Sequence, residues 1–251
     1  MKHYLIAVLS AGIFASCSKQ NSTGPGTPAP QEKKLVEIKN LTIPADSRVF
    51  SYDQQGRLVK KEASTQYWTY EYQPGKLIVA SFNKATAALI GSVEYSLDQK
   101  GRTVSAAIKN NVGNTNYTQS TEYDANGYLV KLKEVYPNNT IDETFYTIIN
   151  GNATHEEFRV NGAVSDVTDY FYDPLIKAKL YTSMGSSWEV PGLYGKGFTN
   201  EVVGFKRYNN MNILVFQRAS SFVLNADGYV IKRTDNFPIT NVSYDYEFTY
   251  Q

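Results

Sequence analysis

The side chains best suited to chemistry are few in this sequence, and the histidine count restricts them most. The chain has two histidines, His3 and His155. His155 lies in "ATHEEFRV", where an imidazole beside Glu156 and Glu157 could act as a general base or supply one ligand of a metal site. A hydrolytic triad also needs a nucleophile held by that histidine, and zinc sites need several ligands. The pattern is therefore more typical of a solvated strand residue than of a catalytic or metal-binding histidine.

Paired carboxylates offer a second kind of chemistry, because glycoside hydrolases place two of them around the scissile bond. The chain has 24 acidic residues, so neighbouring acids are expected in any strand-rich sequence of this composition. We therefore predict no catalytic residues and keep a glycan-degrading enzyme only as an alternative. The candidate pairs are Asp142 with Glu143, Glu156 with Glu157, and Asp245 with Glu247.

A calcium loop is suggested by "DANG", Asp124 to Gly127, which matches the start of an EF-hand loop. The bidentate glutamate that closes such a loop would fall at Val135. A turn explains the stretch better, because the aspartate can accept nearby backbone N–H groups and glycine tolerates positive φ. The sequence also contains no glycine-rich phosphate loop, so we predict neither a metal nor another cofactor.

This turn belongs to a phrase that occurs four times, as "YDQQGRLVK", "LDQKGRTVS", "YDANGYLVK" and "LNADGYVIK". In each copy an aromatic or apolar residue ends one strand, Asp or Asn opens the turn, and glycine closes it. A repeated phrase indicates a repeated piece of backbone, whereas a site for chemistry is normally built once. The copies span residues 52–60, 97–105, 123–131 and 224–232, with predicted structural turns at Gly56, Gly101, Gly127 and Gly228.

The spacing of the turns predicts the fold class. Turn signals recur about every 12 residues, which leaves room for one strand and one turn in each interval. Twenty tyrosines and 12 phenylalanines favour strands, and "VSYDYEFTY" alternates between apolar and polar residues as a strand with one buried face does. We predict an all-β fold, an antiparallel up-and-down meander of about 14–16 strands that forms a soluble curled sheet or open barrel.

The N-terminal residues predict export. Lys2 precedes an apolar run from Tyr4 to Phe14 that is too short to span a bilayer, and small residues then lead to Cys17. This pattern resembles the lipobox of bacterial lipoproteins, with Phe14 in place of the usual leucine, and it implies cleavage before Cys17 and acylation of that cysteine. An ordinary secretory signal is the alternative. Cys17 is the only cysteine in the chain, which excludes an internal disulfide.

We predict three segments in the chain, namely a signal peptide at 1–16, a lipidated cysteine with a flexible tether at 17–34, and a single β-meander domain at 35–251. Removal of the signal peptide takes Lys2 from the 25 basic residues, so 24 remain against 24 acidic ones. No basic patch stands out, and nucleic acid is therefore not an expected partner. We expect an outer-membrane lipoprotein facing the periplasm, attached to the membrane through Cys17.

The "YDxxGRLxxx" phrase resembles the YD repeat of Rhs and teneurin-type proteins. Together with the lipobox it resembles more closely a family of Bacteroidota lipoproteins that carry an uncharacterised domain of porin-like fold. "GKGFTNEVVGF" at 195–205 resembles a loop between repeats in that family. The resemblance implies a many-stranded antiparallel sheet curled toward a barrel, and it implies no activity.

A barrel that spans a membrane is not predicted, because each strand would need an apolar outer face for about 25 Å. Lys60 and Lys61 fall on opposite faces of one strand. In the strand that follows Gly127, Glu134 lies on one face and Lys131 and Lys133 lie on the other. A continuous lipid-facing band therefore cannot be drawn.

One segment interrupts the strand rhythm. Residues 183–200, "SMGSSWEVPGLYGKGFTN", are rich in glycine and contain Trp188, Tyr194 and Phe198. Aromatic side chains in a long loop suit stacking on an envelope glycan or docking on a protein, so we predict these three as ligand-binding residues. The alternative is that they plug the open end of the sheet.

These observations predict a lipid-anchored envelope protein that binds or scaffolds a partner without catalysis. Two other functions stay open, the glycan-degrading enzyme and a carrier that shields an apolar cargo inside the curled sheet. The interior of the sheet discriminates among them. Facing carboxylates would favour the enzyme, an apolar cavity the carrier, and exposed aromatic residues at the rim the binder.

Overall fold

The structure is a computed structural model that describes residues 33–178 and 190–251. Lys34–Gln251 form one compact unit. The predicted signal peptide, Cys17 and Trp188 lie outside the described residues.

Within residues 33–178 and 190–251, sixteen strands form one closed barrel in which each strand pairs antiparallel with the next along the chain and the last pairs with the first. This confirms the predicted all-β meander, and closure removes the two free edges that a curled sheet would leave. The strands are β1 (Leu35–Asn40), β2 (Arg48–Tyr52), β3 (Leu58–Glu62), β4 (Gln66–Gln73), β5 (Lys76–Asn83), β6 (Leu89–Leu97), β7 (Thr103–Asn110), β8 (Thr115–Tyr123), β9 (Leu129–Val135), β10 (Ile141–Ile149), β11 (Asn152–Val160), β12 (Ala163–Lys177), β13 (Asn200–Asn209), β14 (Leu214–Leu224), β15 (Val230–Phe237) and β16 (Val242–Tyr250), with a 3₁₀ turn at Pro44–Asp46.

The inner face of the barrel carries aromatic and aliphatic side chains that pack against one another. Directly paired residues point to the same side of an antiparallel sheet, and Tyr70 with Val79 and Leu77 with Tyr95 form such inward pairs. The predicted apolar face of β16 is part of this interior, since Phe248 is buried. The inward-facing aromatic side chains therefore form much of the core of the barrel.

The outer face of the barrel is charged. Lys109 and Glu94 lie 2.6 Å apart, and Lys232 and Glu247 lie 3.0 Å apart, as cross-strand ion pairs. Further ion pairs join Lys131 with Glu143 and Arg159 with Glu157. In the described part of the chain, no helix is long and apolar enough to cross a membrane.

The two ends of the barrel differ in packing. We call closed end the one that holds the hairpins of the four repeated phrases, and open end the one formed by the loops at 41–47, 84–88, 111–114, 210–213 and 238–241. Leu58, Leu77, Leu129 and Val230, which follow the closed-end turns, are at most 4% exposed. Inward-facing residues toward the open end, such as Phe216, are only half-buried. The barrel is therefore solidly packed at one end and accessible at the other.

The four phrase glycines lie in hairpin turns with positive φ, from +77° at Gly56 to +89° at Gly127. The Gly127 N–H donates to the Asp124 carbonyl oxygen at 3.0 Å, which closes the turn. We expect Gly127→Val to lower the free energy of unfolding by about 1–3 kcal/mol, because a β-branched residue is strained at this φ. Urea unfolding measures the loss.

Gly127→Asn is the matched control for this substitution. It also adds a Cβ, but asparagine tolerates the left-handed conformation. A Cβ at this position would meet only the Arg102 Nη1 atom, at an ordinary 3.5 Å. Equal losses in the valine and asparagine variants would contradict a backbone cause.

Candidate functional site

The repeated phrase builds a polar clamp at the closed end. Asp98 accepts hydrogen bonds from the backbone N–H of Arg102 at 2.9 Å and from its Nε at 2.8 Å. The guanidinium of Arg102 lies 4.4 Å from the ring centre of Tyr123 in the next hairpin, and the Tyr123 hydroxyl donates to the Thr103 carbonyl at 2.8 Å. The phrase thus ties neighbouring hairpins together, which is a structural role. The same aspartate–arginine hydrogen bonds recur between Asp53 and Arg57, and the guanidinium of Arg57 likewise lies against the ring of Tyr72.

We expect the clamp to make the fold sensitive to acid at Asp98. Burial acts to raise the pKa of Asp98, but hydrogen bonds from the backbone and side chain of Arg102 outweigh it and hold the pKa below the usual range. A depressed carboxyl pKa stabilises the fold above the pKa of the unfolded chain, about 3.9, and this contribution is lost as pH falls through the folded pKa. We expect Arg102→Gln to raise the Asp98 midpoint, measured by NMR titration of the carboxyl carbon. An unchanged midpoint would refute the role of the clamp.

Residues 190–199, which we call the plug, cover the closed end from within. The Thr103 N–H donates to the Leu193 carbonyl at 2.8 Å, and the Lys196 N–H donates to the Gly127 carbonyl at 2.8 Å. Leu193 is 2% exposed. At Gly195, φ is +84° and an added Cβ would fall 2.5 Å from the Gly127 carbonyl oxygen, so the close approach requires glycine.

Two of the three predicted ligand-binding aromatic residues pack inside the barrel. Tyr194 is 3% exposed, its hydroxyl donates to Gln119 Oε1 at 2.6 Å, and its ring meets Tyr95 edge-on at 6.2 Å. Phe198 is half-buried, with its ring centre 5.7 Å from that of Tyr172. The expectation of an exposed recognition residue is corrected at Tyr194, because its ring is buried as the plug alternative requires. The role of half-buried Phe198 stays a prediction. The role of Trp188 stays a prediction.

A cavity of about 310 Å³ lies inside the barrel between β3 and β7, beside the plug. Its walls include Trp68, Val93, Tyr95 and Ile108. The ammonium group of Lys61 lies 4.0 Å from the ring centre of Trp68, and Lys61 is itself only 8% exposed. The site thus joins aromatic and aliphatic walls to a lysine held by a cation–π contact. Such a lining suits a small molecule with an apolar body and a polar or anionic group.

The histidine is not part of this cavity. His155 Nδ1 lies 2.8 Å from Asp169 Oδ1, and both side chains are more than 40% exposed, on the outer face. Among the described residues, no group of three His, Cys, Asp or Glu side chains could hold a metal ion. The interpretation of His155 as a solvated strand residue agrees with this position.

The acidic pairs considered from the sequence do not face one another across a cleft. Within the pair Glu156 and Glu157, Glu156 points inward and accepts the Tyr170 hydroxyl at 2.6 Å, whereas Glu157 pairs with Arg159 outside. Asp142 and Glu143 likewise point to opposite faces as consecutive strand residues. Asp245 and Glu247 both lie outside, bonded to Thr234 and Lys232.

The sequence did not indicate one inward acidic pair, Glu134 and Asp142, which are directly paired on β9 and β10. Burial raises the pKa of Glu134, and the charge of Asp142 acts in the same direction. The two carboxyl groups stand side by side on one wall, whereas glycosidase carboxylates flank a substrate from two sides. Strand alternation predicts that Glu134 shares a face with Leu132. Its position opposite Asp142 depends on the register of β9 against β10, which the sequence does not show.

Solved structures with this architecture are known. The chain is similar to a porin-like protein from Bacteroides uniformis ATCC 8492, with a TM-score of 0.67 and 13% identity over 87% of this chain and 96% of that one. A porin-like protein from Bacteroides vulgatus ATCC 8482 gives a TM-score of 0.57 and 12% identity over 87% and 99%. No family model matches the sequence, and no curated protein matches it significantly. At such identities the likeness establishes the porin-like barrel fold and nothing about activity.

Proposed function

We propose that this chain is a non-enzymatic protein of the cell envelope that binds a small amphipathic molecule inside its barrel. The cavity between β3 and β7 carries this proposal. Trp68, Val93 and Ile108 offer the flat and aliphatic contacts that an apolar body needs, and Lys61 offers a charge for a polar head group.

The interior favours binding over catalysis. Its aromatic walls match the predicted carrier more closely than the glycan-degrading enzyme. The acidic pairs considered from the sequence are split between faces or lie outside, and the inward pair Glu134 and Asp142 stands side by side on one wall. The solid closed end also limits passage through the barrel, since Leu193 and Tyr194 fill that end. A molecule that enters the barrel from the open end would therefore stay inside it and could not leave through the closed end.

Location in the envelope is part of the proposal. The lipobox-like sequence that ends at Cys17 supports a lipid anchor, and the porin-like neighbours come from Bacteroides. Acyl chains bind membranes by roughly 0.8 kcal/mol for each buried CH₂ group. A charged outer wall on the barrel is compatible with such an anchor, because the lipid then supplies the membrane affinity. We propose the periplasmic face of the outer membrane as the site of attachment.

Blocking the cavity tests the proposed function. We expect Val93→Phe, which adds a ring to the cavity wall, to weaken binding of 1-anilinonaphthalene-8-sulfonate at least about tenfold, because overpacking costs about 1–3 kcal/mol. Isothermal titration calorimetry on the purified chain measures the affinity. Circular dichroism verifies that the variant is folded.

Val49→Phe is the matched control, since Val49 is 47% exposed on the outer face of β2. It makes the same substitution away from the cavity and is expected to bind the probe like the wild type. Equal affinities for all three proteins, or no binding by the wild type, would overturn the proposed cavity site.

A further inference from the structure

A second group of charged side chains lies inside the barrel, on β14 and β15. Arg218 and Arg233 both point inward, and their Nε atoms are buried without a hydrogen-bond acceptor among the described residues. A buried donor without an acceptor costs free energy, more so when it carries charge. Two such donors on neighbouring strands place two guanidinium groups close together inside the barrel.

The charges around the two arginines do not balance. Asp235 is 2% exposed, and its Oδ2 atom lies 3.1 Å from Arg233 Nε as an ion pair without hydrogen-bond geometry. Its other oxygen accepts the Ser220 hydroxyl at 2.6 Å. One carboxylate therefore serves two guanidinium groups, and burial lowers the pKa of Arg218 further than the attraction of Asp235 raises it.

Aromatic rings hold both guanidinium groups in place. Arg218 lies 4.9 Å from the ring centre of Phe205, and Arg233 lies 4.6 Å from that of Tyr246 and 5.7 Å from that of Phe248. These contacts hold the planar groups against aromatic rings. Preorganised planar donors are suited to the two oxygens of an anion.

We propose that Arg218 and Arg233 form a binding site for an oxoanion group, a carboxylate, sulfate or phosphate, carried by a small molecule in the barrel. The anion would supply negative charge that Asp235 alone does not provide to two guanidinium groups. This site is separate from the cavity between β3 and β7, because neither arginine lines that cavity. A failure of the cavity to bind a ligand would therefore leave this proposed anion site untouched, and the reverse also holds.

Titration with simple anions tests the proposal. Sulfate, phosphate and benzoate are added to the full chain at ionic strength matched with sodium chloride, and the melting temperature is recorded. At least one of the three should raise it saturably beyond the effect of chloride. Arg218→Met should weaken the apparent affinity for that anion at least about tenfold, as expected for loss of a charge-assisted hydrogen bond.

Arg207→Met is the matched control, because Arg207 is an exposed arginine on the neighbouring strand β13. It removes the same charge and should keep the anion effect. Val93→Phe should keep it as well, which separates this site from the cavity. The proposal is overturned if no anion exceeds chloride in the wild type, or if Arg218→Met and Arg207→Met respond like the wild type.

Discussion

Replacement of Tyr194 by alanine is expected to lower the free energy of unfolding by about 3–5 kcal/mol. The side chain is 3% exposed, its ring packs on Tyr95, and its hydroxyl donates to Gln119. Truncation leaves a cavity at the closed end and removes a buried hydrogen bond at the same time. Urea unfolding followed by circular dichroism measures the loss.

Two further variants locate the cause. Tyr194→Phe keeps the ring but leaves the Gln119 oxygen without its donor, so we expect an intermediate loss of about 1–3 kcal/mol. Phe171→Ala truncates an aromatic ring that is 46% exposed, and surface changes of this kind usually cost about 0.5 kcal/mol or less. A Tyr194→Ala variant as stable as Phe171→Ala would show that the plug does not support the barrel.

Replacement of Cys17 by alanine is expected to move the protein from the membrane fraction to the soluble fraction almost completely. Without the thiol no acyl chain can be attached, and the charged outer wall of the barrel offers little affinity for lipid. Ser18→Ala, one residue further along, is the control and should stay in the membrane fraction. Centrifugation of cell lysates followed by immunoblotting measures the distribution. Release of the wild type as a soluble protein would contradict the lipid anchor.

The strand content of the fold could be predicted because each strand carries its own signal. In "VSYDYEFTY" the alternation alone assigns Tyr246 and Phe248 to one face, and the structure places both inside the barrel. The "DxxG" phrases likewise predict their own turns, since the aspartate and glycine act within five residues of chain. Local chemistry therefore determines where strands begin and end.

Closure of the barrel could not be predicted in this way. It depends on pairing of β1 with β16, such as Ile38 with Phe248, between residues at opposite ends of the domain. Contacts at such sequence separation leave no periodic signal in the sequence. The position of Tyr194 could not be predicted either, because its glycine-rich segment has no periodicity. The position of Arg218 near Asp235 depends on the register of β14 with β15, which the sequence does not show.

The central claim, that the barrel holds a small molecule beside Trp68, is tested most directly by the fluorescence of that residue. The chain has two tryptophans, so Trp188→Phe leaves Trp68 as the single reporter. Titration with 1-anilinonaphthalene-8-sulfonate should then quench Trp68 saturably, and the added Val93→Phe substitution should shift the quenching to at least about tenfold higher probe concentration. Probe binding that leaves Trp68 emission unchanged, or quenching at the same probe concentration in Val93→Phe, would contradict a ligand site in this cavity.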